Sequence, residues 1–228
     1  MTQLPAHFLP RPPMADDPAT LAAFADLYAT AVAPGRGEAV PYTLATPRWQ
    51  FLCWLTDTQD VVLHGSGNPA IAEFEPRQSN DIHEFGNRAA VYAASDGLWA
   101  MYFAIVNRDG PVTSLVNACF RVVEPDGTRG GPYYYFSINR DAWAGEPWRA
   151  GTVYILPRGP FAAQPPGDLG ALTLEIAQWA SPTPVRPLAR LAVTPADFPL
   201  LAQITPHDPA VLLARAAADP AGFPWVDE

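Results

Sequence analysis

Residues 61–68 read VVLHGSGN, and residues 89–106 read AAVYAASDGLWAMYFAIV. The second stretch decides the fold class. Ala89 to Ala93 has the composition of a short strand. Ser95 or Asp96 then supplies an N-cap, and Leu98, Met101, Tyr102, Ile105 and Val106 follow at i, i+3, i+4, i+7 and i+8, the spacing of one helical face. Val61 to Leu63 reads as an earlier buried strand that ends in His64-Gly65-Ser66-Gly67-Asn68. Residues 69–88 form a polar connection between the two strands.

Upstream, Asp16-Asp17-Pro18 opens a helix with acidic residues before its start and proline in its first turn. Leu21, Phe24, Tyr28 and Val32 fall at helical spacing, and Pro34-Gly35 stops the pattern. Residues 34–48 read as a loop, and Trp49 to Leu55 is apolar enough for either helix or strand. Downstream the chain is β-rich. Strands are expected at Ser114–Glu124, Tyr133–Ile138, Thr152–Leu156, Leu172–Trp179 and Leu188–Val193, separated by Pro- and Gly-bearing turns. In the run Tyr133 to Phe136, strand alternation buries half of the aromatic rings. Asp197 to Gln203 is a short helix or turn, and Asp208-Pro209 caps a last helix over Ala210–Ala218. Early helices and late strands predict an α+β fold, a mixed and largely antiparallel split sheet with flanking helices. The organisation expected is a proline-rich arm and helix (1–48), a core (49–200), and a C-terminal helix and tail (201–228).

The 228 residues are 49% hydrophobic and 16% charged, enough apolar material for one substantial core. The 27 prolines favour turns and short elements. All 14 basic residues are arginine, so no lysine is present for a Schiff base or a P-loop. A net charge of −9 argues against sequence-blind binding to a nucleic acid backbone. Cys53 and Cys119 sit among apolar neighbours and read as small buried hydrophobes. There is no CxxC, and no two histidines stand at helical ligand spacing, so no metal is expected. The first residues, MTQLPAHFLPRPPM, lack a signal pattern, and no apolar run approaches the ~20 residues needed to span a bilayer. A cytoplasmic location, with no membrane partner, is the expectation.

Three segments carry possible chemistry, and each admits a plain structural reading. His64-Gly65-Ser66 places an imidazole, a missing side chain and a hydroxyl at a strand end, where a flat ligand could approach the backbone. The same string is an ordinary turn. Arg77-Gln78-Ser79-Asn80-Asp81 suits a phosphate through the arginine fork, or is a surface Asx-turn. Tyr92 and Ser95 stand at a strand end and a helix N-terminus, as a ring wall and an anion contact, or as core and cap. A hydrolase elbow of the form G-x-S-x-G and a G-x-G-x-x-G fingerprint are both absent.

The order strand–His–Gly–Ser, polar loop, strand–Tyr, helix resembles the opening of ADP-ribosyltransferase domains of the histidine–tyrosine–glutamate branch. The resemblance covers roughly residues 60–195. It implies NAD as substrate, with His64 and Gly65 holding its ribose and carboxamide, Tyr92 stacking on nicotinamide, and Ser66 and Ser95 as flanking contacts. Arg77, with Asn80 in the same loop, would hold the pyrophosphate. The segment LEIAQW, followed by Pro184-Val185, is similar to the end of DarT-type members, and that spacing puts Gln178 at the catalytic glutamate's place, with Glu175 three residues earlier. Cleaving the nicotinamide bond builds positive charge on the ribose. A carboxylate stabilises that charge where an amide offers only a dipole, at a cost of roughly 100-fold in rate. Transfer of ADP-ribose to an unknown acceptor (protein, nucleic acid or small molecule) and binding without transfer are therefore both implied. RNA 2′-phosphotransferases share this fold and use basic residues, for which Arg77, Arg88 and Arg158 are available.

Overall fold

The computed structural model describes residues 4–79, 84–169, 172–220 and 222–225. In chain order these form β1 (Leu9–Pro10), α1 (Pro18–Leu27), β2 (Glu38–Ala39), α2 (Arg48–Thr58), β3 (Val61–Ser66), β4 (Arg77–Gln78), β5 (Ala89–Ala94) and α3 (Gly97–Ile105). Next come β6 (Leu115–Val123), β7 (Arg129–Asn139), β8 (Gly151–Pro157), β9 (Ala162–Ala163), β10 (Gly167–Leu169) and β11 (Leu172–Ile176). β12 (Gln178–Ser181), β13 (Ala189–Val193), β14 (Thr205–His207) and α4 (Pro209–Ala218) complete the chain. The fold is α+β with two largely antiparallel sheets. Parallel pairing occurs between β13 and β2 and between β14 and β7.

One sheet runs β1-β7-β6-β11-β10, with β14 on the same edge of β7 as β1. The other runs β2-β13-β8-β3-β5-β12-β9, with β4 also against β5. The segment expected as one strand, Leu172–Trp179, is divided. β11 pairs with β6 in the first sheet and β12 with β5 in the second, and the chain passes between them at Ala177, whose N–H donates to Cys119 O and whose carbonyl accepts from Ser95 N.

The caps explain the helices. Asp17 accepts from Thr20 N with Pro18 at the first position, Asp208 accepts from Ala210 N, and Asp96, not Ser95, accepts from Trp99 N. Trp49–Leu55 is helical, within α2, because both α2 and α3 lie against the inner sheet face and bury apolar residues nearly all round. α3 leaves only Phe103 partly exposed. One cluster joins Phe24 and Val32 from the N-terminal helix to Phe198 and Ile204, so the arm and the core share their interior. The loop expected at 34–48 contributes β2, and α1 continues as a π-turn over Tyr28–Val32. Tyr134, Tyr135 and Phe136 are all buried, because β7 is covered on both faces: Tyr134 and Phe136 join the main core, and Tyr135 packs beside Phe8 and Phe120. Cys53 and Cys119 are buried and free, and burial pushes both thiols well above their ordinary range.

Candidate functional site

β3 does not end at Leu63; it continues through Ser66 because β8 pairs with it residue for residue, from Val61↔Pro157 to Ser66↔Thr152. On its other edge β3 meets β5 in register at one pair, Leu63↔Ala94. β12 lies beyond, with Gln178 opposite Ala94 and Ala180 opposite Tyr92. The three segments singled out from the sequence are therefore neighbours in one sheet, in the order β3-β5-β12.

Their side chains do not all share a face. Strand alternation sends Val61, Leu63 and Ala94 into the main core under α2 and α3, and sends Val62, Val91 and Ala93 into a second cluster with Phe74, Tyr154 and Leu156. His64 belongs to the second face. Tyr92 and Gln178 belong to the first. The slot expected between the His64 imidazole and the Tyr92 phenol is thus divided by the sheet itself.

His64 is partly buried, its ring 4.6 Å from that of Phe74. Its Nδ1 lies 2.7 Å from the carbonyl of Tyr92. A carbonyl only accepts, so Nδ1 carries the proton. Burial pushes the imidazole's pKa down, opposed by that same hydrogen bond, and the ring is neutral near pH 7. Nε2 is then a lone-pair acceptor, and it has no hydrogen bond among the described residues.

Gly65 has a different purpose from the one expected. A Cβ there would fall 1.9 Å from Ala100 O and 2.7 Å from Ala104 N, so the missing side chain admits helix α3, not a ligand. Gly151 on β8 does the same under Ala104 O, also at 1.9 Å. Ser66 Oγ accepts from Asn68 N at 3.1 Å, a local turn contact. The Tyr92 hydroxyl accepts from Arg88 N and lies 3.1 and 3.0 Å from the carbonyls of Phe85 and Arg88, which ties the phenol to the 84–88 segment. Arg77 is exposed on the short strand β4 opposite Ala90. Asn80 and Asp81 lie outside the described residues. Arg158 donates to the carbonyls of Gln59, which caps α2, and of Val61, the first residue of β3, and stacks 5.4 Å from the Trp179 ring, while Arg88 sits 4.0 Å over Phe85. Arg158 and Arg88 are thus engaged in capping and packing.

Glu175 is in the other sheet from His64. It stands opposite Arg121 on β6 and pairs with Arg129 at 2.7 Å. With Ser95, Asp96 and Arg121 it lines a cavity of about 10 Å³ where the two sheets meet, too small for a riboside. Beside this cavity is a buried polar network that sequence reasoning did not find. Asp96 Oδ2 accepts from Arg11 Nη2 at 2.6 Å and from the Tyr134 hydroxyl at 2.8 Å, while its Oδ1 caps α3. Arg11 also pairs with Asp57, which accepts from Arg121 at 3.2 Å. Arg11 lies 85 residues from Asp96, in a stretch that reads only as a proline-rich arm. The cap signal at Asp96 was legible; its cation was not.

Among the described residues no group of three or more His, Cys, Asp or Glu side chains is placed to hold a metal ion. No described helix is long and apolar enough to cross a membrane. Compared with known proteins, the chain matches no family model, no curated protein and no solved structure.

Proposed function

We propose that this chain is an ADP-ribosyltransferase-like domain that binds NAD through a ribose hydroxyl donated to Nε2 of His64, without efficient transfer of ADP-ribose. The observation that carries the reading is the state of His64: a neutral imidazole, its tautomer set by the carbonyl of Tyr92, with its acceptor nitrogen making no hydrogen bond among the described residues, near the edge where β3 and β5 pair at a single residue. A ribose hydroxyl is a donor, and a neutral Nε2 accepts it with no charge to desolvate. β3, β5 and β12 stand side by side in one sheet, but Tyr92 and Gln178 leave on the face opposite His64, so the reading rests on His64 itself. Stacking of nicotinamide on Tyr92 has no support in this arrangement, because the phenol leaves on the opposite face.

Weak transfer follows from the acids. Gln178 offers an amide, Glu175 is held by Arg129 in the other sheet, and Asp96 is buried against Arg11. Without a carboxylate near the anomeric carbon, the oxocarbenium charge loses roughly 100-fold in stabilisation. Calorimetry with NAD tests the proposal. Heat in the wild type and its loss in His64→Ala are expected, with little free nicotinamide after prolonged incubation. An absent heat in the wild type, or an unchanged heat in His64→Ala, removes the binding reading. Appreciable nicotinamide release removes the claim of weak transfer.

A further inference from the structure

The strongest remaining chemistry lies across β7, in the first sheet. β6 leads in on one side and β14 pairs on the other, so Ser114 and His207 both stand beside Asn139. His207 is buried, with 5% exposure. Each of its ring nitrogens meets a serine: Nδ1 lies 2.7 Å from Ser137 Oγ, and Nε2 lies 2.9 Å from Ser114 Oγ.

The protons can be ordered. Ser137 Oγ donates its single proton to the carbonyl of Thr205 at 2.8 Å, so towards His207 it can only accept. Nδ1 therefore carries the ring proton, Nε2 carries the lone pair, and the Ser114 hydroxyl donates to Nε2. That is a nucleophile, a base and a group that orients the base, in hydrogen-bonded sequence. Ser137 is fully buried and Ser114 is partly exposed, so the reactive end of the relay is the one that meets solvent.

The amides of Thr113 and Ser114 both donate to Asn139 Oδ1, at 2.9 and 3.3 Å. They hold the Ser114 backbone in place. They are also occupied, so neither is free to stabilise a tetrahedral oxyanion, and attack on a carbonyl here depends on a good leaving group, which an ester of the serine itself lacks.

We propose that Ser114 is a nucleophile, with His207 as its base, which activated esters acylate to form a long-lived acyl-enzyme. The Oγ–C bond forms as the Oγ proton passes to Nε2. The ester C–O bond breaks, and the departing phenolate takes the proton from Nε2. This site is separate from His64 and stands whether or not NAD binds.

The test is incubation of the full chain with p-nitrophenyl acetate. The chain has no lysine, which removes ε-amino acetylation from the background. A burst of about one equivalent of p-nitrophenolate is expected, with one acetyl group retained and mapped to Ser114 by peptide mass spectrometry. Ser114→Ala abolishes the burst, and His207→Gln slows it by about 100-fold, the lower range for general-base assistance. The absence of a stoichiometric acetyl group in the wild type, an acetyl mapped to another residue, or an unslowed His207→Gln overturns the proposal. Mapping on the wild type decides the matter even if a variant fails to fold.

Discussion

Replacing Gly65 by alanine tests whether this position serves packing or ligand approach. The added Cβ falls 1.9 Å from Ala100 O, about 1.1 Å short of the 3.0 Å below which such contacts essentially do not occur. The obstacle is helix backbone, which cannot rotate away, and Gly151 meets the same helix at 1.9 Å from Ala104 O, so α3 has no slack to tilt about its contact. The helix must withdraw by about an ångström, although Leu98, Met101, Tyr102 and Ile105, all fully buried, hold it in the core. A radial gap of that size forfeits roughly a quarter to a half of the dispersion well of each contact it opens. Overpacking typically costs 1–3 kcal/mol, and here the upper end, about 3 kcal/mol, is expected. For a chain of this length that lowers Tm by roughly 6–12 °C. Thermal unfolding followed by circular dichroism measures it, with Gly131→Ala as control, since nothing lies within 4 Å of a Cβ at that position. A Gly65→Ala variant that melts within about 2 °C of the control but fails to bind NAD would refute the packing argument and restore the ligand-approach reading.

Two further outcomes follow. Arg11→Met leaves the Asp96 carboxylate buried with its cation gone; breaking such a pair costs about 3–5 kcal/mol, and the double variant with Asp96→Asn recovers part of that loss in urea titrations. An Arg11→Met protein as stable as the wild type would mean that Asp96 does not depend on this arm. Acid destabilises the fold through His64 and His207, whose pKa values burial lowers from 6.5, with the Tyr92 carbonyl and Asp208 respectively opposing the shift. The unfolded chain then binds the extra proton first, so the contribution is complete above the unfolded pKa and is lost as pH falls below about 6.5 towards the folded values, at up to about 1.4 kcal/mol per pH unit for each histidine. Urea midpoints at pH 7.5 and 5.5 should differ in the wild type and differ less in His64→Gln; equal midpoints in the wild type would contradict the buried neutral imidazoles.

Residues 89–106 form the strand and helix that their sequence announces, because everything that decides them is local. A capping carboxylate, an apolar period and a preceding strand declare themselves within eighteen residues. The helix starts at Asp17 and Asp208 were legible for the same reason. Gly65 shows the limit. Its lack of a side chain is visible in the chain, but which surface needs the space is not, and a helix thirty-five residues further on occupies it. The break at Ala177 is equally silent, since both halves of Leu172–Trp179 have strand composition and only their partners differ.

The amino-acid order alone determined the helices α1, α3 and α4, the caps at Asp17 and Asp208, the long strands β6, β7, β8 and β13, and that both cysteines are interior. Tertiary structure alone decided that His64 and Tyr92 part across a sheet, that Arg11 reaches Asp96, and that Ser114 meets His207 across 93 residues. The physical reason is that periodicity records how a side chain leaves its own backbone. What covers that face depends on long-range pairing, which no local window contains.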